Sequence, residues 1–316
     1  MKICVIGTGY VGLVSGACFA DLGNTVICVD KDEDKITMLN NNEIPIFEPG
    51  LDELVNKNYS SGRLKFTTNL KMAVMNSDII FICVGTPTSR KNSSADLKYV
   101  FQVAREISGA INKFKIIVTK STVPITTGDQ IEKIISKKKK RKYFEIVSNP
   151  EFLREGEGIR DFRFPDRIVV GSNNKQVTKK MQSLYEPLIR KGAKFFSTNR
   201  RGAELIKYAS NAFLATKISL INEIANLCEK TGVNIEDVSI GVGLDQRIGS
   251  RFLRAGPAYG GSCFPKDTKA ITVTADNFKT DLSIIKSVIK SNDKRRQILT
   301  ERVKRILSNR IKKKVI

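Results

Sequence analysis

The sequence predicts an α/β protein in which an N-terminal, Rossmann-type doubly wound sheet is followed by a long central helix and a mainly helical domain. Three observations predict it. Short β-branched runs alternate with helical patterns through the first half of the 316-residue chain, the order expected of a parallel sheet with helices on both faces. Some of these runs, such as Ile79-Ile80-Phe81-Ile82-Cys83-Val84, are apolar on both sides of the strand, as strands covered on each face are. From Gly202 to Lys230 the chain carries no Pro and no internal Gly, and apolar residues recur at helical spacing.

Taken in order, strands are expected at Lys2–Ile6, Thr25–Val29, Asp78–Val84, Lys115–Lys120, Phe144–Ser148 and Arg167–Gly171. A helical pattern runs from Val14 to Leu22, and a later amphipathic stretch from Gln130 to Ile135. The long helix presents Leu205, Ala209, Phe213, Leu220, Ile224 and Leu227 at helical intervals, and Gly232 supplies its stop. A helix of this length links two domains or packs against a partner subunit. The remainder, to about residue 308, reads as helices separated by one Gly-rich loop, and Ile311–Ile316 reads as the first residues of a new strand. The expected organisation is therefore 1–200, 201–308 and, at 309–316, the start of a further domain.

Composition excludes several chemistries. Hydrophobic residues make up 41%, enough for a sizeable core. The net charge of +22 admits a polyanionic partner. Yet the densest basic run, Lys137-Lys138-Lys139-Lys140-Arg141-Lys142, follows an amphipathic stretch and suits a solvated helix end, and no nucleic-acid motif accompanies it. No nucleic-acid partner is expected. The six cysteines Cys4, Cys18, Cys28, Cys83, Cys228 and Cys263 form no CxxC pair, so no zinc is expected. Histidine is absent altogether, which removes Ser-His-Asp catalysis and the usual imidazole ligands. The N-terminus enters a strand without a signal-peptide pattern, and no apolar run is long enough to span a bilayer. A cytoplasmic location with no membrane partner is the expectation.

The first strand runs into Gly7-Thr8-Gly9-Tyr10-Val11-Gly12, and the second ends in Asp30. A lone GxGxxG is weak, but here it follows a strand and opens a helix, which makes it a dinucleotide fingerprint. Gly7 serves the tight turn, Gly9 lets backbone approach a pyrophosphate, and Gly12 lets helix and strand pack closely. The helix N-terminus favours the negative charge. Asp30 would bond a ribose diol and repel a 2′-phosphate, so NAD is expected rather than NADP. An ordinary βα turn is the alternative. Two later strand ends carry Gly85-Thr86-Pro87 and Ser121-Thr122-Val123-Pro124. Thr86 and Thr122 either face the cofactor or cap the helices that follow.

Gly260-Gly261-Ser262-Cys263-Phe264-Pro265-Lys266-Asp267 is the most informative stretch. A neighbouring cation and a helix N-terminus both favour a reactive thiolate, so Cys263 reads as a nucleophile, with a structural cysteine as the alternative. Asp267 shares its helix face at i, i+4. Lys207 and Asn211 have the same spacing on the long helix, within a mostly apolar stripe. Glu151 and Glu155, just after a strand, are either solvated charges at a helix start or acid–base groups at the sheet edge.

Together these segments resemble the UDP-glucose/GDP-mannose dehydrogenase family. The matching stretches, in order, are Gly7–Gly12, Phe47-Glu48-Pro49-Gly50-Leu51, Val84–Pro87, Ser121–Pro124, Asn149–Gly156, Lys207 with Asn211, Asp245-Gln246-Arg247-Ile248-Gly249 and Gly260–Asp267. The Phe47–Leu51 and Asp245–Gly249 segments look like the UDP-glucose branch. The resemblance implies a four-electron oxidation of UDP-glucose to UDP-glucuronate by two NAD. Cys263 would form a thiohemiacetal and then a thioester. Lys207 and Asn211 would stabilise the oxyanion, and Thr122, Glu151 and Asp267 would position and activate water. It places NAD on Gly7, Gly9, Val11, Gly12, Asp30, Lys35, Thr86, Thr122, Glu155 and Lys266. It places the nucleotide sugar on Glu151, Phe152, Leu153, Arg154, Glu155, Lys207, Asn211, Phe252, Leu253, Arg254, Ala255, Gly256 and Gly260, with Arg247 reaching a neighbouring subunit's substrate. It makes the long helix from Gly202 a homodimer core. It also implies a further Rossmann-like domain beyond Ile316, without which weak or no activity is expected. The alternatives are an inactive NAD-binding remnant, an enzyme for UDP-N-acetylmannosamine or GDP-mannose, a single-step hydroxy-acid dehydrogenase that needs no Cys263, and a nucleic-acid binder suggested by charge alone.

Overall fold

The computed structural model describes residues 1–89 and 94–307. The strand expected to start near Ile311 lies outside the described residues. The chain divides into two compact units. The first comprises Met1–Pro87 and Ala95–Lys207, and the second takes over at Tyr208.

The first unit is built on one eight-stranded sheet. Its strands are β1 (Lys2–Ile6), β2 (Thr25–Val29), β3 (Leu64–Thr67), β4 (Ile79–Ile82), β5 (Lys115–Thr119), β6 (Phe144–Ser148), β7 (Arg167–Gly171) and β8 (Lys194–Thr198). The spatial order is β3-β2-β1-β4-β5-β6-β7-β8. All neighbours are parallel except β6 and β7, which meet through the single antiparallel pair Ser148–Gly171. The helices between them are α1 (Tyr10–Asp21), α2 (Glu33–Asn40), α3 (Leu51–Ser60), α4 (Leu70–Asn76), α5 (Lys98–Ala110), α6 (Thr127–Ser136), α7 (Gly158–Arg163) and α8 (Lys175–Ile189). Strand order reverses at β1, and the chain exits to opposite faces on either side of it, which is the doubly wound topology.

Alternation along the central strands explains the sheet. Ile3, Val5, Ile79 and Phe81 join one core with Leu13, Phe19 and Leu54. Cys4, Ile6, Ile80 and Ile82 join another with Val100, Ile107 and Ile131. Each face is therefore buried by its own helices, as the two-sided apolar runs require. β3 and β8 carried no sequence signal. β3 has only four residues, and β8 is an exposed edge strand, so neither shows a continuous apolar run. β4 and β5 are also shorter than the expected Asp78–Val84 and Lys115–Lys120, because the chain leaves the sheet where the site loops begin.

The second unit holds most of α9 (Arg200–Thr231), then α10 (Ile235–Gly243), α11 (Phe264–Asn277) and α12 (Ser283–Leu307). α9 begins before the expected Gly202, whose N–H donates to the Asn199 side chain at 2.7 Å, and Gly232 follows its end at φ +73°. The expected apolar stripe is the outward one. Leu205, Phe213, Leu220 and Leu227 are exposed, whereas the buried face carries Ala203, Glu204, Lys207, Tyr208, Asn211, Ala212, Ala215 and Asn222. Lys207 and Asn211 thus lie opposite the stripe in which sequence periodicity put them. Among the described residues no helix is long and apolar enough to cross a membrane.

Glu204 shows what the buried face of α9 does. Its Oε2 accepts the Thr126 N–H and its Oε1 the Gly128 N–H, both at 2.7 Å, so it caps α6, whose own N-cap residue Thr126 makes no side-chain cap. Burial lifts this carboxyl to about 7, against the pull of the two backbone donors, and Asp129 on α6 adds to the rise. A folded-state value above the ordinary 4.5 means that folding takes up a proton between the two. The contribution is full below about 4.5 and is lost as pH rises through about 7. Thermal unfolding of the parent should therefore show a stability loss of roughly 2–3 kcal/mol across that window. Glu204→Gln should flatten that dependence even though it weakens the cap. Equal pH slopes for both proteins would contradict this assignment.

Candidate active site

The dinucleotide turn matches its geometric requirements. Gly7 sits at φ +101° between β1 and α1, a left-handed conformation that glycine tolerates. A Cβ on Gly12 would fall 1.8 Å from the Gly7 carbonyl oxygen, so helix and turn approach closely only without a side chain there. A Cβ on Gly9 would meet nothing within 4 Å. Space is open where a pyrophosphate would approach the first turn of α1, of which Tyr10 and Val11 are the first residues. Asp30 stands beyond the end of β2. Its Oδ2 accepts from the Thr8 N–H at 2.7 Å and from the Thr8 hydroxyl at 2.8 Å, and Oδ1 accepts from the Asp32 N–H. Burial works against its charge, but these donors and Lys35 hold it below the ordinary carboxylate range. Lys35 itself pairs with Asp32 at 3.6 Å.

Thr86 and Thr122 meet at the neighbouring strand ends, the Thr86 hydroxyl donating to the Thr122 carbonyl at 2.9 Å. Neither caps a helix, since the N-cap positions of α5 and α6 are Leu97 and Thr126. The capping alternative is therefore excluded. Ser121, between them, donates to the Val84 carbonyl at 2.7 Å, fastening the two loops together.

Glu151 is not a helix-start charge either, because the next helix, α7, begins only at Gly158. It is buried and pairs with Lys207 at 3.2 Å, both side chains being under a tenth exposed, and its Oε2 accepts from the Leu153 N–H at 2.6 Å. The Lys207 ammonium also lies over the Phe152 ring, 5.1 Å from its centroid. Arg154 and Glu155 are exposed on the same loop. Arg154 pairs with Asp161 at 2.6 Å. Lys120, which sequence reasoning did not single out, is a buried cation immediately before Ser121. Burial depresses its pKa, opposed by Cys83 and Glu151 and assisted by Lys207. Only its place next to the Ser121–Pro124 loop hinted at it.

In the second unit, Cys263 is exposed at the N-cap of α11, whereas the other five cysteines are buried. Asp267, one turn on, is fully buried. Its Oδ2 accepts from the Asn211 amide at 2.6 Å and its Oδ1 from the Lys266 ammonium at 2.6 Å. The cation expected to act on the thiol is thus bonded to Asp267. Phe252, at φ +67°, begins the 252–256 stretch, in which Leu253 is buried and Arg254 exposed. α9, α10 and α12 hold that stretch. Asn222 accepts from the Gly256 N–H at 2.7 Å, Ser239 donates to the Leu253 carbonyl, and Arg295 donates to the Gly256 carbonyl at 3.2 Å. Asn292 exchanges two bonds with the Tyr259 backbone, just before Gly260. These four residues gave no sequence signal, because their partners are remote in the chain. Arg247 is largely exposed and pairs with Asp245 at 2.6 Å.

A doubly wound sheet with this glycine turn and an acid after β2 defines a dinucleotide-binding α/β protein of the dehydrogenase type. Comparisons with known proteins narrow the class. Residues 1–189 match the NAD binding domain of the UDP-glucose/GDP-mannose dehydrogenase family, and residues 201–294 match that family's central domain. A UDP-glucose 6-dehydrogenase of Rhizobium meliloti is 54% identical over 305 residues, covering 96% of this chain and 70% of that protein. The UDP-glucose 6-dehydrogenase TuaD of Bacillus subtilis is 49% identical, covering 98% of this chain and 66% of that protein. A UDP-glucose dehydrogenase structure from Pyrobaculum islandicum superposes with a TM-score of 0.88 at 39% identity, over 92% of this chain and 67% of that one. The chain belongs to the UDP-glucose/GDP-mannose dehydrogenase family, and its cofactor is NAD.

The glycine geometry separates cofactor space from packing. Gly9→Ala should leave the thermal midpoint of the cofactor-free protein nearly unchanged while raising the Kd for NAD by tenfold or more. Gly12→Ala should destabilise the cofactor-free protein by roughly 2–4 kcal/mol. Calorimetric titration and thermal unfolding read the two effects. A Gly9→Ala protein with parental NAD affinity would contradict the assignment.

Proposed function

We propose that the chain oxidises the C6 alcohol of UDP-glucose to the carboxylate, with Cys263 as covalent carrier. The observation that carries this is one exposed thiol at the N-cap of α11, backed by the buried Asp267–Asn211 bond, in a chain similar throughout to UDP-glucose 6-dehydrogenases.

The Gly7–Gly12 turn, with Val11, and Asp30, Lys35, Thr86, Thr122, Glu155 and Lys266 would hold NAD. When bound, it supplies the hydride acceptor for both oxidations. The first oxidation passes the C6 hydride to NAD and the hydroxyl proton to solvent, leaving an aldehyde. The Cys263 sulfur then adds to its carbon, and the former carbonyl oxygen, negative as the bond forms, takes up the proton the thiol gave up, so that the product is a thiohemiacetal. The Lys207 ammonium and the Asn211 amide stabilise negative charge on that oxygen. After the second oxidation the carbon is a thioester. Water, oriented by Thr122 and deprotonated by Glu151 or Asp267, attacks it, releasing the carboxylate and restoring the thiol. No step needs histidine, and the sugar stays bound between oxidations. Glu151–Glu155, Phe252–Gly256 and Gly260 would receive the nucleotide sugar, with Arg247 reaching the site of a second copy. That copy would dock on the outward apolar stripe of α9, where Phe213 is 66% exposed and Leu227 59%. Six free cysteines and NAD chemistry fit a reducing cytoplasm. The described part would divide near residue 200 into the NAD-binding domain and the helical domain.

Stoichiometry tests the covalent scheme whatever the rate. Each UDP-glucose consumed should yield two NADH. Cys263→Ser should cut formation of the carboxylate product by at least about a thousandfold, as loss of a nucleophile does. One NADH per sugar, or undiminished turnover of Cys263→Ser, would favour a single-step dehydrogenase. Preference for UDP-N-acetylmannosamine or GDP-mannose over UDP-glucose would reassign the substrate.

A further inference from the structure

The Phe47–Leu51 segment takes no part in the chemistry above, yet its second residue is deeply engaged. Phe47 is 88% exposed, whereas Glu48 is 6% exposed. The Glu48 carboxylate leaves its own turn and grips a distant loop. Oε2 accepts the Gly156 N–H at 2.9 Å, and Oε1 accepts the Ile159 N–H at 3.2 Å. The Tyr10 hydroxyl lies 2.8 Å from Oε2 and 2.6 Å from the Arg154 carbonyl oxygen. One phenol proton thus faces two acceptors, which directs the hydroxyl between them. Burial, with Glu48 reinforcing it, pushes the Tyr10 phenol well above its ordinary value, so it remains a donor. The contact leaves no slack, since a Cβ on Gly158 would fall 2.3 Å from the Tyr10 hydroxyl oxygen. Tyr10 is also the first residue of α1, inside the glycine turn between Gly9 and Gly12.

We propose that Tyr10 and Glu48 are positioning residues that clasp the Arg154–Ile159 loop to the first turn of the dinucleotide helix, so that seating NAD and setting the substrate loop are one event. Three backbone groups, the Arg154 carbonyl and Gly156 amide of the loop and the Ile159 amide in the first turn of α7, are held by two side chains that precede them by a hundred residues or more. The loop carries the exposed Arg154 and Glu155. That these two serve the ligands rests on the functional reading above, but the clasp does not. A segment whose sequence looks like the UDP-glucose branch acts, on this account, from behind the loop.

The test uses Tyr10→Phe, Glu48→Gln and the double variant in the intact chain. Tyr10→Phe removes one oxygen and keeps the ring, so it reports even if Glu48→Gln folds poorly. Amide exchange at Gly156 and Ile159 in the ligand-free protein should speed up about tenfold in each variant. NAD should slow it in the parent more than in the variants. The Kd for NAD should rise by roughly threefold to tenfold. The KM for UDP-glucose should rise similarly, the loss falling on KM rather than kcat. The double variant should be no worse than the worse single one, since both act through one network. Parental exchange rates at the two amides, additive losses, or a lowered melting temperature with unchanged Kd and exchange would overturn the clasp. Should the parent oxidise no nucleotide sugar, that result would count against the functional reading alone, because exchange and NAD titration still decide this one.

Discussion

A charge can be buried only beside its compensation, and this constraint organises the site. α9 places Glu204, Lys207 and Asn211 on its buried face. Glu204 is satisfied by the N-terminus of α6, Lys207 by Glu151 after β6, and Asn211 by Asp267 on α11. None of these bonds is local in sequence. Each fixes a loop or helix end that carries a residue of the proposed chemistry. Thr122 precedes the α6 end held by Glu204, Glu151 opens the loop held by Lys207 and the Glu48 clasp, and Asp267 lies one turn beyond Cys263.

The same constraint sets the proposed nucleophile apart. Cys4, Cys18, Cys28 and Cys83 lie within the sheet and its helices, where burial pushes their thiols upward and favours the inert protonated form. Cys263 sits in no apolar core. It is the N-cap of a helix preceded by glycines and open to solvent. With no histidine in the chain, the proposed mechanism gives a covalent carrier and a buried lysine the work that an imidazole does elsewhere: sulfur would hold the carbon, and the ammonium the developing charge.

Legibility followed the range of the physics. β1, β2, β6 and β7 were readable to the residue, because an apolar run buried on both faces is a local signal. β3 and β8 were not, since edge strands are short or exposed. The glycine turn and the place of Cys263 at a helix start were readable, because steric need and Gly-Pro punctuation belong to particular residue types. Lys207 and Asn211 do not lie in the apolar stripe of α9: that stripe, Leu205 to Leu227, points outward, and the polar residues point inward. Periodicity identifies two faces but does not say which is buried when a polar face finds partners. Glu204, Asn222, Asn292 and Arg295 were silent for the same reason. Nothing near them in the chain announces a distant backbone amide or carbonyl.

The pairing of Lys207 with Glu151 is the claim most open to direct measurement, through a stability cycle of Lys207→Met, Glu151→Gln and the double variant in chemical denaturation at neutral pH. Removing one partner strands a buried charge, so each single variant should lose roughly 3–5 kcal/mol. The double variant should lose less than the sum of the two single losses, with a coupling of roughly 1–3 kcal/mol. Losses that simply add would show that the two charges are solvated independently, and the buried stripe of α9 would lose its organising role.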